Sequence, residues 1–162
     1  MKRIGTEPLG DESNKAKTLI ICRHALAQKN IDDIHGGEGT RILTPGIAQI
    51  NGLHAQFRFP ANEEIAVYSS PALQAVETAN RFAADFDRTA KLTVDHRLTP
   101  LNLGVLSGLS RAVGRQRYPS ESYELDRWRK GEVEFPNLRI TGMEDGNLFY
   151  SRGLSFTKTI LS

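Results

Sequence analysis

The chain opens its readable pattern with a short apolar run, residues 18–22, Thr-Leu-Ile-Ile-Cys. The run stops abruptly at Arg23 and His24, and a polar stretch, Gln28-Lys29-Asn30, follows. Short apolar runs bounded by polar residues are the pattern of interior strands. A first strand is therefore predicted, with Arg23 and His24 at its carboxyl end. Thr44-Pro45 predicts a helix start, with Thr44 as N-cap and Pro45 in the first helical position. Ile47, Ile50, Leu53, His54 and Phe57 then fall near helical spacing, and Pro60-Ala61-Asn62 breaks the helix. A second strand is predicted over 65–68, ending in Ser69-Ser70-Pro71. A helix over 72–86 follows, with Leu73, Val76, Ala79, Phe82, Ala83 and Phe86 on one face. Residues 92–94 predict a third strand. This β-α-β-α-β order is that of a parallel sheet with helices on its faces. In such sheets ligands bind beyond the carboxyl ends of the strands, where Arg23 and His24 would stand.

Elsewhere the pattern is looser. Residues 25–42 carry Gly36, Gly37 and Gly39 and read as an irregular loop, long enough to be functional. Residues 98–108 read as a second long loop. Short polar helices are predicted over 111–118 and 121–129, around Pro119. Phe135-Pro136-Asn137 is a break, 142–146 a loop, and 148–161 a last helix that Gly153 weakens.

A length of 162 residues suits one domain with a real core. The formal net charge of +2 offers no reason to expect a nucleic-acid or membrane partner. No apolar run approaches membrane-spanning length. The single cysteine, Cys22, lies inside the apolar run and reads as a small core hydrophobe, which makes a cytoplasmic setting the expectation. Residues 1–17 are polar, lack a signal-peptide stretch and read as a flexible leader. His35, His54 and His96 read as structural or surface residues. Arg111, Arg115, Arg117, Arg127, Arg129 and Lys130 form a basic region beside Tyr118, Tyr123 and Trp128. Glu121, Glu124 and Asp126 lie among them, so a solvated helical face is expected rather than a nucleic-acid surface.

Four motifs in order carry a resemblance. Arg23-His24-Ala25, with Asn30 downstream, is similar to an Arg-His-Gly signature with its phosphate-contacting Asn. Residues 43–49, Leu-Thr-Pro-Gly-Ile-Ala-Gln, resemble a Leu-Thr-x-x-Gly-x-x-Gln helix start, one residue shorter. Residues 69–79 resemble a Ser-Ser-Pro-x-x-Arg-Ala-x-x-Thr-Ala segment. Residues 98–109 follow a Leu-x-Glu-x-x-x-Gly-x-x-x-Gly-Leu frame, with Gly104 and Gly108 in place. Together these resemble the histidine phosphatase superfamily, also called phosphoglycerate mutase-like.

The resemblance implies an α/β fold, a three-layer α/β/α sandwich with a mostly parallel sheet, over residues 18–162. It implies a phosphoryl hydrolase or transferase acting through a phosphohistidine on His24, with no metal or other cofactor. Arg23 and Asn30 would hold the phosphoryl oxygens, and Arg129 and Lys130 would touch the rest of the substrate. The substrate would be a small phosphate ester or a phosphohistidine protein. Three family groups differ here. Gln74 stands where the family has an Arg, so a neutral amide would contact phosphate. Pro100 stands where a general-acid Glu is often found. The second His, on a later strand, has no counterpart, so the domain is expected to be shortened at its C-terminus. The alternative expectation is a catalytically degenerate or truncated member that binds a phosphate-bearing ligand or a protein partner. An interior strand without a neighbour predicts either a repaired strand order or an edge borrowed from a second copy, hence a homodimer.

Overall fold

The computed structural model describes residues 18–37, 39–56, 65–84 and 90–162. In chain order its helices and strands are α1 (Gln28–Ile31), α2 (Thr44–Gln56), β1 (Val67–Ser69), α3 (Leu73–Ala84), β2 (Leu92–Val94), α4 (Arg111–Arg117), α5 (Pro119–Arg129) and α6 (Gly146–Leu161). The predicted leader, Phe57, the break at 60–62 and Phe86 lie outside the described residues. Among the described residues no helix is long and apolar enough to cross a membrane.

β1 and β2 pair in parallel, with Val67 opposite Leu92 and Ser69 opposite Val94. Parallel neighbours need a crossover between them, and α3 supplies it. The helix packs on both strands, and α2 packs on α3. Ile50, 2 % exposed, and Ala83 mark the buried faces of these two helices.

Three expectations need correction. Residues 18–22 are not a strand in the described structure, since the parallel ladder contains β1 and β2 alone. Strand geometry persists in a sheet only where backbone groups find a neighbour, and among the described residues these find none. Ile21 is accordingly 86 % exposed. Cys22 is exposed as well, so it is not a core residue. Residues 25–42 are not wholly irregular: α1 forms within them, Ala27 bridges Ile42, and Ile34 bridges Ser110.

The main core lies away from the sheet. Leu103, Leu106, Leu125, Leu138 and Ile140 form it, with Trp128 and Phe135 packed against them. Part of this core comes from the predicted long loop over 98–108, which folds back in tight turns. Gly104, at φ +58°, makes that possible: a Cβ there would sit 2.1 Å from the carbonyl oxygen of Thr141. Ser110 caps α4 by accepting from the Val113 N–H, Pro119 opens α5, and Asp145 caps α6 through the Asn147 and Leu148 N–H groups. Arg152 of α6 donates to the carbonyl oxygen of Arg97 at 2.7 Å and pairs with Glu144, which seats the last helix.

Candidate functional site

A cavity of about 610 Å³ opens where residues 23–24, α1, the start of α3 and the facing ends of α4 and α5 meet. Arg23, His24, Asn30, Gln74 and Arg129 all line it, although they come from four separate parts of the chain. That volume suits a small-molecule pocket.

His24 is half-buried, and its Nδ1 lies 2.8 Å from the carbonyl oxygen of Ala25. A carbonyl can only accept, so Nδ1 carries the proton and donates. In the neutral ring Nε2 is then left with its lone pair, the form a nucleophile needs. Ala25 itself is held in place by its N–H, which donates to Thr78 Oγ1 of α3 at 3.0 Å. This single bond ties the Arg-His pair to the helix that carries Gln74.

Asn30 uses its Oδ1 to accept from the Ala27 N–H at 3.0 Å, which caps α1 and leaves the amide NH₂ as its donor. Arg23 is exposed at the cavity and forms no ion pair with a described carboxylate. The two loop acids nearest in sequence are engaged elsewhere: Asp32 accepts from Gln28, and Asp33 pairs with Arg111 at 3.0 Å. Gln74 is 2 % exposed, and its Oε1 accepts from the Thr40 N–H at 3.1 Å. Ser70 lies in the turn just before α3, whose N-terminal partial positive charge adds to the cavity wall. Pro100 lines the cavity as well and has no proton to offer.

The opposite wall was not anticipated. His35, expected to be bland, is 5 % exposed and lines the cavity. Its Nδ1 lies 3.0 Å from the Arg129 guanidinium. Burial, then the charges of Arg129 and Arg111, hold its pKa below the ordinary imidazole value. Arg111, read from the sequence as part of a solvated face, turns into the cavity instead, beside Arg129, which the family resemblance offered as a substrate contact. Arg115 and Arg127 keep to that face, paired with Asp126 and Glu124. Lys130 is absent from the cavity wall and lies 4.0 Å from Glu132. The pairing is local, and the next residue along a helix end points some 100° away. Lys29, not singled out earlier, is buried against the cavity. Its one sequence signal was adjacency to Asn30. His54 rests on Phe82 between α2 and α3, and His96 is exposed in a turn, as expected for residues outside a site.

Known structures share this arrangement of elements. The chain is similar to the alpha-ribazole phosphatase from Shigella flexneri, at 19 % identity and TM-score 0.65, covering 85 % of this chain and 63 % of that one. It is similar to Bacillus stearothermophilus YhfR at 21 % identity and TM-score 0.67, covering 85 % and 64 %. A mycobacterial glucosyl-3-phosphoglycerate phosphatase gives 21 % identity and TM-score 0.64, covering 85 % and 60 %. This chain thus spans less than two thirds of each, and identities this low speak for the fold. A comparison with curated protein sequences found no match. The family model of the histidine phosphatase superfamily (branch 1) matches residues 19–162. With that match spanning the Arg-His pair, the cavity and the last helix, this α/β chain belongs to the histidine phosphatase superfamily and has its phosphoglycerate mutase-like fold.

Proposed function

We propose that the cavity takes a phosphorylated substrate and transfers its phosphoryl group to Nε2 of His24. The observation that carries this reading is the fixed tautomer of His24 in a cavity rich in donors. With Nδ1–H spent on the Ala25 carbonyl, Nε2 is the ring's one free lone pair. Nε2 attacks phosphorus in line, the N–P bond forms, and the P–O bond to the leaving group breaks with its electron pair on that oxygen. Water then attacks phosphorus, the N–P bond breaks, and phosphate leaves with His24 restored. Arg23 supplies paired N–H donors suited to phosphoryl oxygens, and Asn30 and Gln74 supply neutral ones.

The leaving group is the weak point of this wall. Pro100 donates nothing, and Asp33 is held by Arg111. Substrates whose leaving group needs no proton, such as an acyl phosphate or the phosphohistidine of a protein, fit best. Gln74 in place of a cation removes on the order of 3 kcal/mol of transition-state stabilisation. The same two residues favour a second reading, in which the cavity binds a phosphate-bearing ligand without turnover.

Incubation with acetyl phosphate labelled on phosphorus separates the two. Label that is acid-labile, alkali-stable and lost in His24→Ala is the expected result. Phosphate binding without label on the protein would establish the binding reading instead.

A further inference from the structure

The first turn of α3 offers an anion no charged side chain in the cavity wall, because Gln74 is a neutral amide. A phosphoryl group brings one or two negative charges, so cations elsewhere in the wall have to match them. Two of the candidates are already engaged. Arg111 holds Asp33 at 3.0 Å, and Arg129 lies 3.7 Å from Asp126 and bonds His35.

Lys29 is not engaged in that way. It is 9 % exposed, yet among the described residues its ammonium has one protein acceptor, the carbonyl oxygen of Gly36. An ammonium carries three donors. Among the described residues no carboxylate is in ion-pair contact with it, and burial alone pushes its pKa down. A buried cation without a counter-ion is costly, and an anion entering the cavity would remove that cost. The backbone brings this residue to the gap. The Lys29 N–H donates to Thr40 Oγ1 at 3.0 Å, and the Thr40 N–H donates to Gln74 Oε1 at 3.1 Å. Lys29 and Gln74 are therefore linked through one threonine at the rim of one cavity.

We propose that Lys29 is the cation that contacts the bound oxyanion in place of the charge missing at Gln74. The inference rests on the reading of the cavity as a phosphoryl site. It makes the ligand a tetrahedral oxyanion whose counter-ions are Lys29 from α1 and Arg23 from the same cavity wall.

Sulfate tests this on the full chain, because its charge is constant over the working pH range. Calorimetric titration compares the wild type with Lys29→Met, Lys29→Arg and the double variant Lys29→Met with Gln74→Arg. Lys29→Met is expected to weaken sulfate binding about tenfold or more, and Lys29→Arg to keep most of it. Gln74→Arg in the Lys29→Met background is expected to restore binding, which a purely structural lysine would not allow. A second arm varies the pH. Wild-type affinity is expected to fall as the pH rises toward the ordinary lysine range, because burial lowers the pKa of the Lys29 amine. The cavity's other ionisable side chains are His24, His35, Asp33, Arg23, Arg111 and Arg129. Lys29→Met, which lacks the amine, is expected to lose this pH dependence. Sulfate bound equally well by Lys29→Met, or with an affinity flat across that range, overturns the Lys29 assignment and leaves the phosphoryl site standing. A wild type that binds no sulfate overturns both.

Discussion

Arg129 donates a hydrogen bond to Nδ1 of His35 across 3.0 Å, joining the end of α5 to the glycine-rich loop. A guanidinium has no lone pair to offer, so the imidazole nitrogen is the acceptor and His35 is neutral, with its proton on Nε2. Burial is the first cause of its lowered pKa, followed by Arg129 and Arg111, against which Asp33 and Asp126 act weakly. The sign of the resulting pH dependence follows. Above about pH 6.5 the ring is neutral in both folded and unfolded chains, and its contribution to stability is complete. Below that value the unfolded chain takes up a proton that folded His35 refuses. Stability therefore falls with pH until the lowered folded pKa is reached. Denaturant unfolding at steps from about pH 7.5 to 5 should show this slope, and His35→Gln, which keeps an acceptor for Arg129, should flatten it. An unchanged slope in the variant would place the titration elsewhere.

Gln74→Arg tests what the neutral amide withholds. An arginine there returns a fork of donors to the first turn of α3, but it must displace the bond from the Thr40 N–H. The expected outcome is a gain of about ten- to a hundredfold in kcat/KM toward an acyl phosphate, set against a stability loss of roughly 1–3 kcal/mol. Steady-state kinetics and thermal unfolding on the same preparation measure both sides. A variant with neither effect would remove Gln74 from the phosphoryl site.

Gly39 sits against the same corner. A Cβ on it would lie 2.3 Å from the Leu73 nitrogen and 2.7 Å from Gln74 Oε1. Neither atom can retreat without moving α3 or breaking the Thr40 bond. Gly39→Ala should therefore cost about 1–3 kcal/mol and weaken oxyanion binding together with stability. Equilibrium unfolding checks the first, sulfate titration the second.

The two apolar regions should respond in opposite ways. Leu125, 1 % exposed in the core beneath α5, should lose about 2–5 kcal/mol on truncation to Ala. Ile21, 86 % exposed, should tolerate a change to Ser within about 0.5 kcal/mol. A large loss at Ile21 in urea unfolding would mean that residues 18–22 are buried in solution after all.

Several elements were legible before any coordinates because their causes are local. Thr44-Pro45 opens α2, Ser69-Ser70-Pro71 stands between β1 and α3, and Pro119 separates α4 from α5. The Arg-His pair, Asn30 and Gln74 were singled out by the motifs and Arg129 by the family resemblance, and all five residues line one cavity. Lys130 was over-read: adjacency along the chain said nothing about which way a helix end would point. His35 and Arg111 were under-read, because nothing beside them in sequence distinguishes a cavity residue from a surface one. Their partners, Arg129 and Asp33, stand 94 and 78 positions away.

From the amino-acid order alone came α2 to α6, the parallel β-α-β unit and the family resemblance that makes His24 the candidate nucleophile. Each depends on spacing over a few residues, or on motifs whose order survives without knowledge of contacts. Tertiary structure decided where the core sits, what becomes of residues 18–22, and which cations face the cavity. Those outcomes depend on pairing between distant segments. An apolar run becomes an interior strand only when neighbours take its backbone bonds, and a lysine becomes a buried cation only when a loop and a helix close over it.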